Sequence, residues 1–181
     1  GKQAAYLIAV DDSGGGWPRV AVLDEYVGPE NCSSEDDARA ILAMLARHGL
    51  SWKQLHSAWG DRLYLRGAEA KSNKQLMDEL AKALKLSDTR QLQPRVRTVK
   101  RGTGRGAGSV DAGCRWLHQL LVRPGHLLIS PACPFLVEAF ERWDGRDDGL
   151  KDHLDALRYG LQDWIFGRRV EAAPPQVRMA R

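Results

Sequence analysis

The stretch that decides the fold is Ala-Ala-Tyr-Leu-Ile-Ala-Val-Asp-Asp-Ser-Gly-Gly-Gly, residues 4–16. Its apolar part, Ala4–Val10, is typical of a buried strand, and the aspartates and glycines that follow indicate a flexible turn. Arg19–Tyr26 then alternates in the manner of a second strand. Two strands joined by a glycine-rich turn predict a β-hairpin, with Asp11 at the end of its first strand.

Helices and short strands follow the hairpin along the chain. Ser33–Asp37 combines hydroxyl caps with acids and predicts a helix start, and Gly49 predicts the end of that helix. Apolar residues at helical spacing predict four more helices, over Asn73–Leu86, Val110–Leu121, Pro134–Trp143 and Lys151–Phe166. Short apolar or alternating segments predict strands at Leu55–Gly60, Arg95–Val99 and Leu127–Ile129.

This alternation predicts an α/β fold with a mixed sheet flanked by helices. We expect one domain over residues 1–166 and a basic, disordered tail over residues 167–181. The chain has no run of 18 apolar residues and no signal-peptide pattern, so we expect a soluble, intracellular protein. Its three cysteines lack CxxC spacing, which favours free thiols over a zinc site. Lys and Arg exceed Asp and Glu by 27 − 23 = 4, a balance compatible with a polyanionic partner.

Four aspartates stand where their side chains could converge. Asp11 and Asp61 each end a predicted strand, and neighbouring parallel strands would bring both carboxylates to the same sheet edge. Asp152 and Asp155 share one face of the last helix because they are three residues apart. Clustered carboxylates repel one another unless a cation lies between them, and oxygen ligands suit Mg²⁺ or Mn²⁺.

Each acid also has a simpler interpretation. Asp11 before glycines can be a turn residue, and Asp61 can be a turn residue or an ion-pair partner of Arg62. Asp152 can be a charge that favours the start of its helix. Their joint order along the chain favours the metal site over these separate interpretations.

Four segments carry a resemblance to a known family. They are residues 7–16, Trp59–Asp61, residues 67–73 (Gly-Ala-Glu-Ala-Lys-Ser-Asn) and residues 151–159 (Lys-Asp-His-Leu-Asp-Ala-Leu-Arg-Tyr). This pattern resembles the ribonuclease H-like superfamily, which includes RuvC-type resolvases. It is most similar to the nuclease domain of phage terminase large subunits, over roughly residues 4–166.

The resemblance implies a ribonuclease H-like fold and an endonuclease that cuts concatemeric viral DNA during genome packaging with two Mg²⁺ or Mn²⁺ ions. By position it implies Asp11, Asp61 and Asp152 as catalytic metal ligands. Asp155 would be a fourth ligand or a structural partner within the helix, and Asp12 competes for the role of Asp11. The implied setting is the cytoplasm of an infected bacterial host.

The resemblance also implies partners. A whole terminase large subunit has an ATPase motor with a Gly-x-x-x-x-Gly-Lys-Ser/Thr loop, but Gly104–Ser109 lacks the lysine of that loop. We therefore expect a C-terminal nuclease domain without the motor, monomeric by itself. Its expected partners are double-stranded DNA, the motor domain, the portal and the small terminase subunit.

Basic residues supply the expected DNA contacts. Arg62, Lys100, Arg101 and Arg105 could bind phosphates, the alternative being a solvated loop at 100–108. We expect His153 to pack or to be exposed rather than to transfer protons, and the six tryptophans to be core or interface residues. The alternative functions are a RuvC-like junction resolvase and a non-catalytic DNA-binding module.

Overall fold

The computed structural model describes residues 4–29, 31–60, 73–98, 110–146 and 149–167. The strands in these ranges are β1 (Ala4–Asp11), β2 (Arg19–Val27), β3 (Ala58–Gly60), β4 (Val96–Thr98) and β5 (Leu127–Ile129). The helices are α1 (Ser34–Arg47), α2 (Asn73–Ala83), α3 (Val110–Leu121), α4 (Pro134–Arg142) and α5 (Gly149–Gly160). Short 3-10 turns lie at Trp52–Gln54 and Thr89–Gln91, and a π-helical turn lies at Asp163–Gly167.

β1 and β2 form the predicted antiparallel hairpin. Val22 lies opposite Ile8, and Arg19 lies opposite Asp11 at the last position of β1. The register shifts between Leu7 and Ile8, as at a β-bulge. Leu7 packs into one hydrophobic cluster and Ile8 against another, so the hairpin has a buried surface on each face.

The strands form two small sheets. β5 pairs in parallel with β2, which gives a three-stranded mixed sheet in the order β1-β2-β5. β3 and β4 pair in parallel with each other in a two-stranded sheet. In the part of the chain that the structure describes, β3 is not paired with β1, although the sequence suggested that these strands could be parallel neighbours.

Helices cover both faces of the hairpin, so the chain has the predicted mixed α/β architecture with a small sheet flanked by helices. One cluster combines β1 with α1, α2 and the segments around them; its buried members are Leu7, Ala38, Ile41, Met44, Leu45, Trp52, Leu80, Ala81 and Leu92. The other combines β2 with α3, α4, α5 and the π-helical turn; its buried members are Val20, Val22, Leu117, Leu120, Cys133, Leu136, Leu157, Leu161 and Ile165.

The first helix begins and ends where its sequence signals predict. The hydroxyl of Ser33 accepts a hydrogen bond from the backbone N–H of Asp36, whose carboxylate accepts one from the backbone N–H of Ser33. This reciprocal cap satisfies N–H groups that the first turn of a helix leaves without partners. Gly49 follows the helix with a φ of 67°, a conformation that glycine adopts without strain.

Of the elements that differ from their predicted bounds, two bear on the position of the candidate site. The strand predicted at Leu55–Gly60 begins only at Ala58. It follows the 3-10 turn Trp52–Gln54, where the indole N–H of Trp52 donates to the carbonyl of Pro94 (2.9 Å). The last helix is not continuous to Phe166, since α5 ends at Gly160 before the π-helical turn. The tail predicted to be disordered lies, apart from Gly167, outside the described residues.

The last helix runs in the same direction as β1. His153, near its start, is hydrogen-bonded to the Tyr6 hydroxyl (2.6 Å). A Cβ atom on Gly160 would lie 2.6 Å from the Cδ1 atom of Ile8, so glycine permits close contact between helix and strand at this point. The indole N–H of Trp164 donates to Asp12 (3.2 Å), beyond the end of the strand.

Candidate functional site

The end of β1 presents an ionised carboxylate to solvent. Asp11 is exposed, and its Oδ1 atom accepts hydrogen bonds from the hydroxyl of Ser13 (2.7 Å) and from its backbone N–H (3.1 Å). These two bonds, followed by the positive charge of Arg19, lower the pKa of Asp11 below its ordinary value. Hydrogen bonds to the charged form favour that form, so Asp11 is anionic at neutral pH.

Two consecutive residues connect the end of β1 to the end of β3. The Trp164 indole donates to Asp12, as noted above, and its neighbour Asp163 accepts a hydrogen bond from the indole N–H of Trp59 in β3 (3.0 Å). Trp59 is followed in the chain by Gly60 and then Asp61. The contacts of Asp163 and Trp164 therefore link Trp59 in β3 to Asp12, the residue that follows β1.

The same junction includes a basic side chain from β4. Arg97 pairs with Asp163 (3.1 Å), and its guanidinium lies over the ring of Trp59, 5.5 Å from the ring centroid. His56 contacts the ring of Trp164 with centroids 5.8 Å apart. Asp163 thus accepts from two different strands, which ties the two-stranded sheet to the start of the π-helical turn.

Asp152 and Asp155 lie within α5, ahead of the π-helical turn that contacts Asp12. Asp152 precedes His153, which contacts Tyr6, so the contacts of α5 put Asp152 beside the first half of β1 rather than beside Asp11. Asp155 accepts two hydrogen bonds from the guanidinium of Arg158, the shorter at 2.8 Å. The Arg158 side chain is 4% exposed, so Asp155 is the ion-pair partner of a buried arginine.

Five predicted site residues lie outside the described residues: Asp61, Arg62, Lys100, Arg101 and Arg105. Within the ranges that are described, no group of three or more His, Cys, Asp or Glu side chains could hold a metal ion. The donors at the end of β1 nevertheless suit a hard cation, because Asp11 and Asp12 offer carboxylate oxygens and Asp11 stays ionised.

The contacts of Asp163, Trp164 and Trp59 were not foreseen from the sequence. The signal available was weak, since Trp59 stands two residues before Asp61 and Asp163 continues the acids of the last helix. The hydrogen bond between Trp59 and Asp163 joins residues far apart in the chain. A periodicity analysis does not identify such pairs.

His153 is buried, as one of the expected alternatives had it. Its ring stacks on Phe135 with centroids 5.8 Å apart and contacts Tyr6. Burial, followed by the negative charge of Glu25, raises the pKa of Tyr6 well above its ordinary value. Glu25 itself accepts from the backbone N–H groups of Phe135 and Leu136 at the start of α4. This cluster packs α4 and α5 against the hairpin and is separate from Asp11.

The cysteines in this structure are free, as predicted.

Comparison of the chain with protein-family models, with curated proteins and with solved structures gives no match. No helix in the described ranges is long and apolar enough to cross a membrane.

Proposed function

We propose that this chain is a metal-dependent DNA endonuclease of ribonuclease H-like fold, similar to the nuclease domain of phage terminase large subunits. The resemblance of the four sequence segments motivates the proposal. The α/β architecture, with a hairpin covered by helices on both faces, supports it.

The observation that carries the proposal is the junction made by Asp163 and Trp164. Trp164 holds Asp12 at the end of β1, and Asp163 holds Trp59 at the end of β3. Asp61 follows β3 in the sequence just as Asp11 ends β1. These contacts support a shared site for Asp11 and Asp61, although their strands are not hydrogen-bonded to each other.

We propose Asp11 and Asp61 as the carboxylates that hold the Mg²⁺ or Mn²⁺ ions, of which the resemblance implies two. The resemblance adds Asp152 as a third ligand and Asp155 as a further candidate, although the contacts of α5 place the start of that helix nearer Tyr6 than Asp11. Asp11 is the member best supported, because it is exposed, ionised and oriented by Ser13. Asp152 comes from the resemblance, whereas Asp12 is the acid that contacts this end of the fold. Replacing each in turn decides between them.

The bound ions would supply the positive charge that offsets charge on the phosphodiester group during hydrolysis. The chain's own residues have separate tasks. Asp11 holds its charge through the Ser13 hydrogen bonds, and Asp163 and Trp164 keep the two strand ends together. Arg62, Lys100, Arg101 and Arg105 would bind DNA phosphates without reading the base sequence.

Plasmid cleavage tests the proposal. We expect nicking and linearisation with Mn²⁺ or Mg²⁺ and none with EDTA. Asp11→Asn and Asp61→Asn should each lower the rate by more than about a hundredfold, beyond the effect usual for residues outside the ligand shell. Asp144→Asn is the matched control, because Asp144 is an exposed acid that pairs with Arg146. Full activity in either site variant would refute the assignment.

The same assay separates the alternative functions. A RuvC-like resolvase should cut branched DNA in strong preference to linear DNA of the same sequence. A non-catalytic module should bind DNA in EDTA and cleave nothing with any metal. In the proposed setting, the host cytoplasm, the partners are double-stranded DNA, an ATPase motor domain, the portal and the small terminase subunit.

A further inference from the structure

Trp17, Trp116 and Arg123 form a stack on the surface, which we call the Trp17 stack. Trp17 lies in the turn between β1 and β2, and its ring is 5.8 Å from that of Trp116 on α3. The guanidinium of Arg123 lies over the Trp17 ring, 4.4 Å from its centroid. Trp17 remains 38% exposed despite these contacts. Exposed tryptophan beside arginine is typical of binding surfaces rather than of a solvated face.

The turn that carries Trp17 also begins at Asp11. A Cβ atom on Gly14 or Gly16 would have no atom within 4 Å beyond its chain neighbours, so the space around both residues is open. Neither has the positive φ that would require glycine, unlike Gly15 at 67°. Glycine at both positions leaves the approach between Asp11 and Trp17 clear for a bulky ligand.

Arg123 keeps part of its guanidinium available. Its Nη1 atom donates to the backbone carbonyl of Gln119 (2.6 Å) and to the side-chain oxygen of the same residue (2.7 Å). Among the described residues, its Nε and Nη2 groups have no hydrogen-bond acceptor. A guanidinium held in this way presents its other N–H groups in a fixed plane, which suits a phosphate.

The guanidinium of Arg123 covers part of the Trp17 ring, and the rest of the ring is exposed. The ligand that fits an exposed aromatic surface next to a fixed guanidinium is a nucleotide. A base can stack on tryptophan while arginine binds the adjacent phosphate. Arg19, exposed and two positions after Trp17 in the chain, adds positive charge at the start of β2. The base must be unpaired, because a base inside a duplex does not offer its face.

We propose that the Trp17 stack binds an unpaired nucleotide of the DNA substrate, with the base against Trp17 and its phosphate on Arg123. This inference rests on the proposed nuclease function and makes it more specific. The preferred substrate then has a frayed or single-stranded segment next to the cut. It also makes Trp17 an exception to the expectation that the tryptophans are core or interface residues.

Binding measured in EDTA tests the stack independently of cleavage. The probe is a fluorescein-labelled oligothymidylate of roughly 12 nucleotides, followed by anisotropy, with a blunt duplex of equal length alongside. Trp17→Leu should weaken single-strand binding by roughly fivefold to a hundredfold and duplex binding by less. Trp17→Phe keeps an aromatic ring and should therefore retain most of the single-strand affinity of the wild type.

Arg123→Gln should change the salt dependence of single-strand binding. Losing one phosphate contact should make the negative slope of log K against log salt shallower by about 0.7, the value for single strands, whereas Trp17→Leu should leave the slope unchanged. Arg39→Gln is the matched control, because Arg39 is an exposed arginine on α1 that pairs with Glu35. Circular dichroism and thermal melting verify that each variant is folded.

The proposal is overturned if Trp17→Leu and Arg123→Gln bind the oligonucleotide as tightly as Arg39→Gln. Equal loss for single strand and duplex also overturns it, as does binding to anionic phospholipid vesicles without binding to DNA. The two proposals fail separately. Altered single-strand binding without any cleavage refutes only the nuclease, and cleavage with unaltered binding in the variants refutes only the stack.

Discussion

Gly113→Ala should destabilise the protein through one steric conflict between α3 and α5. A Cβ atom at Gly113 would lie 2.2 Å from the Cδ atom of Arg158 and 2.6 Å from its Cγ atom. Both contacts are to the middle of a buried side chain whose guanidinium pairs with Asp155 and lies over the ring of Tyr159. The arginine must therefore move, and its movement weakens that pair.

The magnitude follows from three contributions. Overpacking costs about 1–3 kcal/mol, and lost hydrogen bonds to a charged group cost about 1.5–3 kcal/mol. Alanine in place of a helical glycine returns about 1 kcal/mol. The expected net loss in the free energy of unfolding is about 1.5–5 kcal/mol, measured by urea denaturation from the midpoint at an unchanged m value.

Two further variants isolate the cause. Gly149→Ala is the matched control, because Gly149 is helical but has no atoms within 4 Å of a built Cβ; it should be neutral or slightly stabilising. In an Arg158→Ala background, Gly113→Ala should cost little, since the conflicting atoms are gone. An equal loss in both backgrounds would refute the reasoning, as would wild-type stability of Gly113→Ala.

Three other predictions concern ionised groups and the junction. Ser13→Ala removes a hydrogen bond that lowers the pKa of Asp11, so the acidic limb of the cleavage profile should move to higher pH. Asp24→Asn should lower stability at neutral pH. Although burial raises the pKa of Asp24, hydrogen bonds from two basic side chains lower it overall. The advantage of wild type over Asp24→Asn is thus present above about pH 4 and lost as pH falls through the folded pKa. Trp164→Phe removes the donor to Asp12 and should slow cleavage by about 10–100-fold with the fold retained.

Each of these variants has a control elsewhere in the chain. Ser87→Ala alters an exposed serine after α2 and should leave the pH profile of cleavage unchanged. Asp144→Asn, at an exposed position, should not give a pH-dependent difference in unfolding. Trp143→Phe removes an indole N–H that donates to the carbonyl of Arg146, a local contact after α4, and should cleave normally. A control that behaves like its partner variant contradicts the corresponding prediction.

Local signals predicted much of the fold. The hairpin follows from alternation around a glycine turn, and α1 follows from a cap whose atoms are neighbours in sequence. The partner of β3 could not be predicted in this way, because a three-residue strand has too few side chains to specify its neighbour. The direction of α5 depends on contacts such as Tyr6 with His153, which join opposite ends of the chain.

In the candidate site, too, local sequence signals predict some residues, whereas others depend on contacts between distant parts of the chain. Asp11 could be predicted because its position depends only on the end of an apolar run. Asp163 could not, since its role depends on Trp59 and Arg97 reaching it from other strands. Asp152 and Asp155 share a helical face as expected, but periodicity does not say which end of the helix approaches β1.

The direction of α5 has an electrostatic consequence. Because the helix runs alongside β1 in the same sense, its carbonyl end is the one that approaches Asp12. The aligned peptide groups of a helix form a macrodipole with about half a negative charge at that end. The backbone therefore adds negative potential to the carboxylates there, which attracts cations and repels phosphate. A polyanion must be held at this end by arginine and lysine side chains or by the cations themselves.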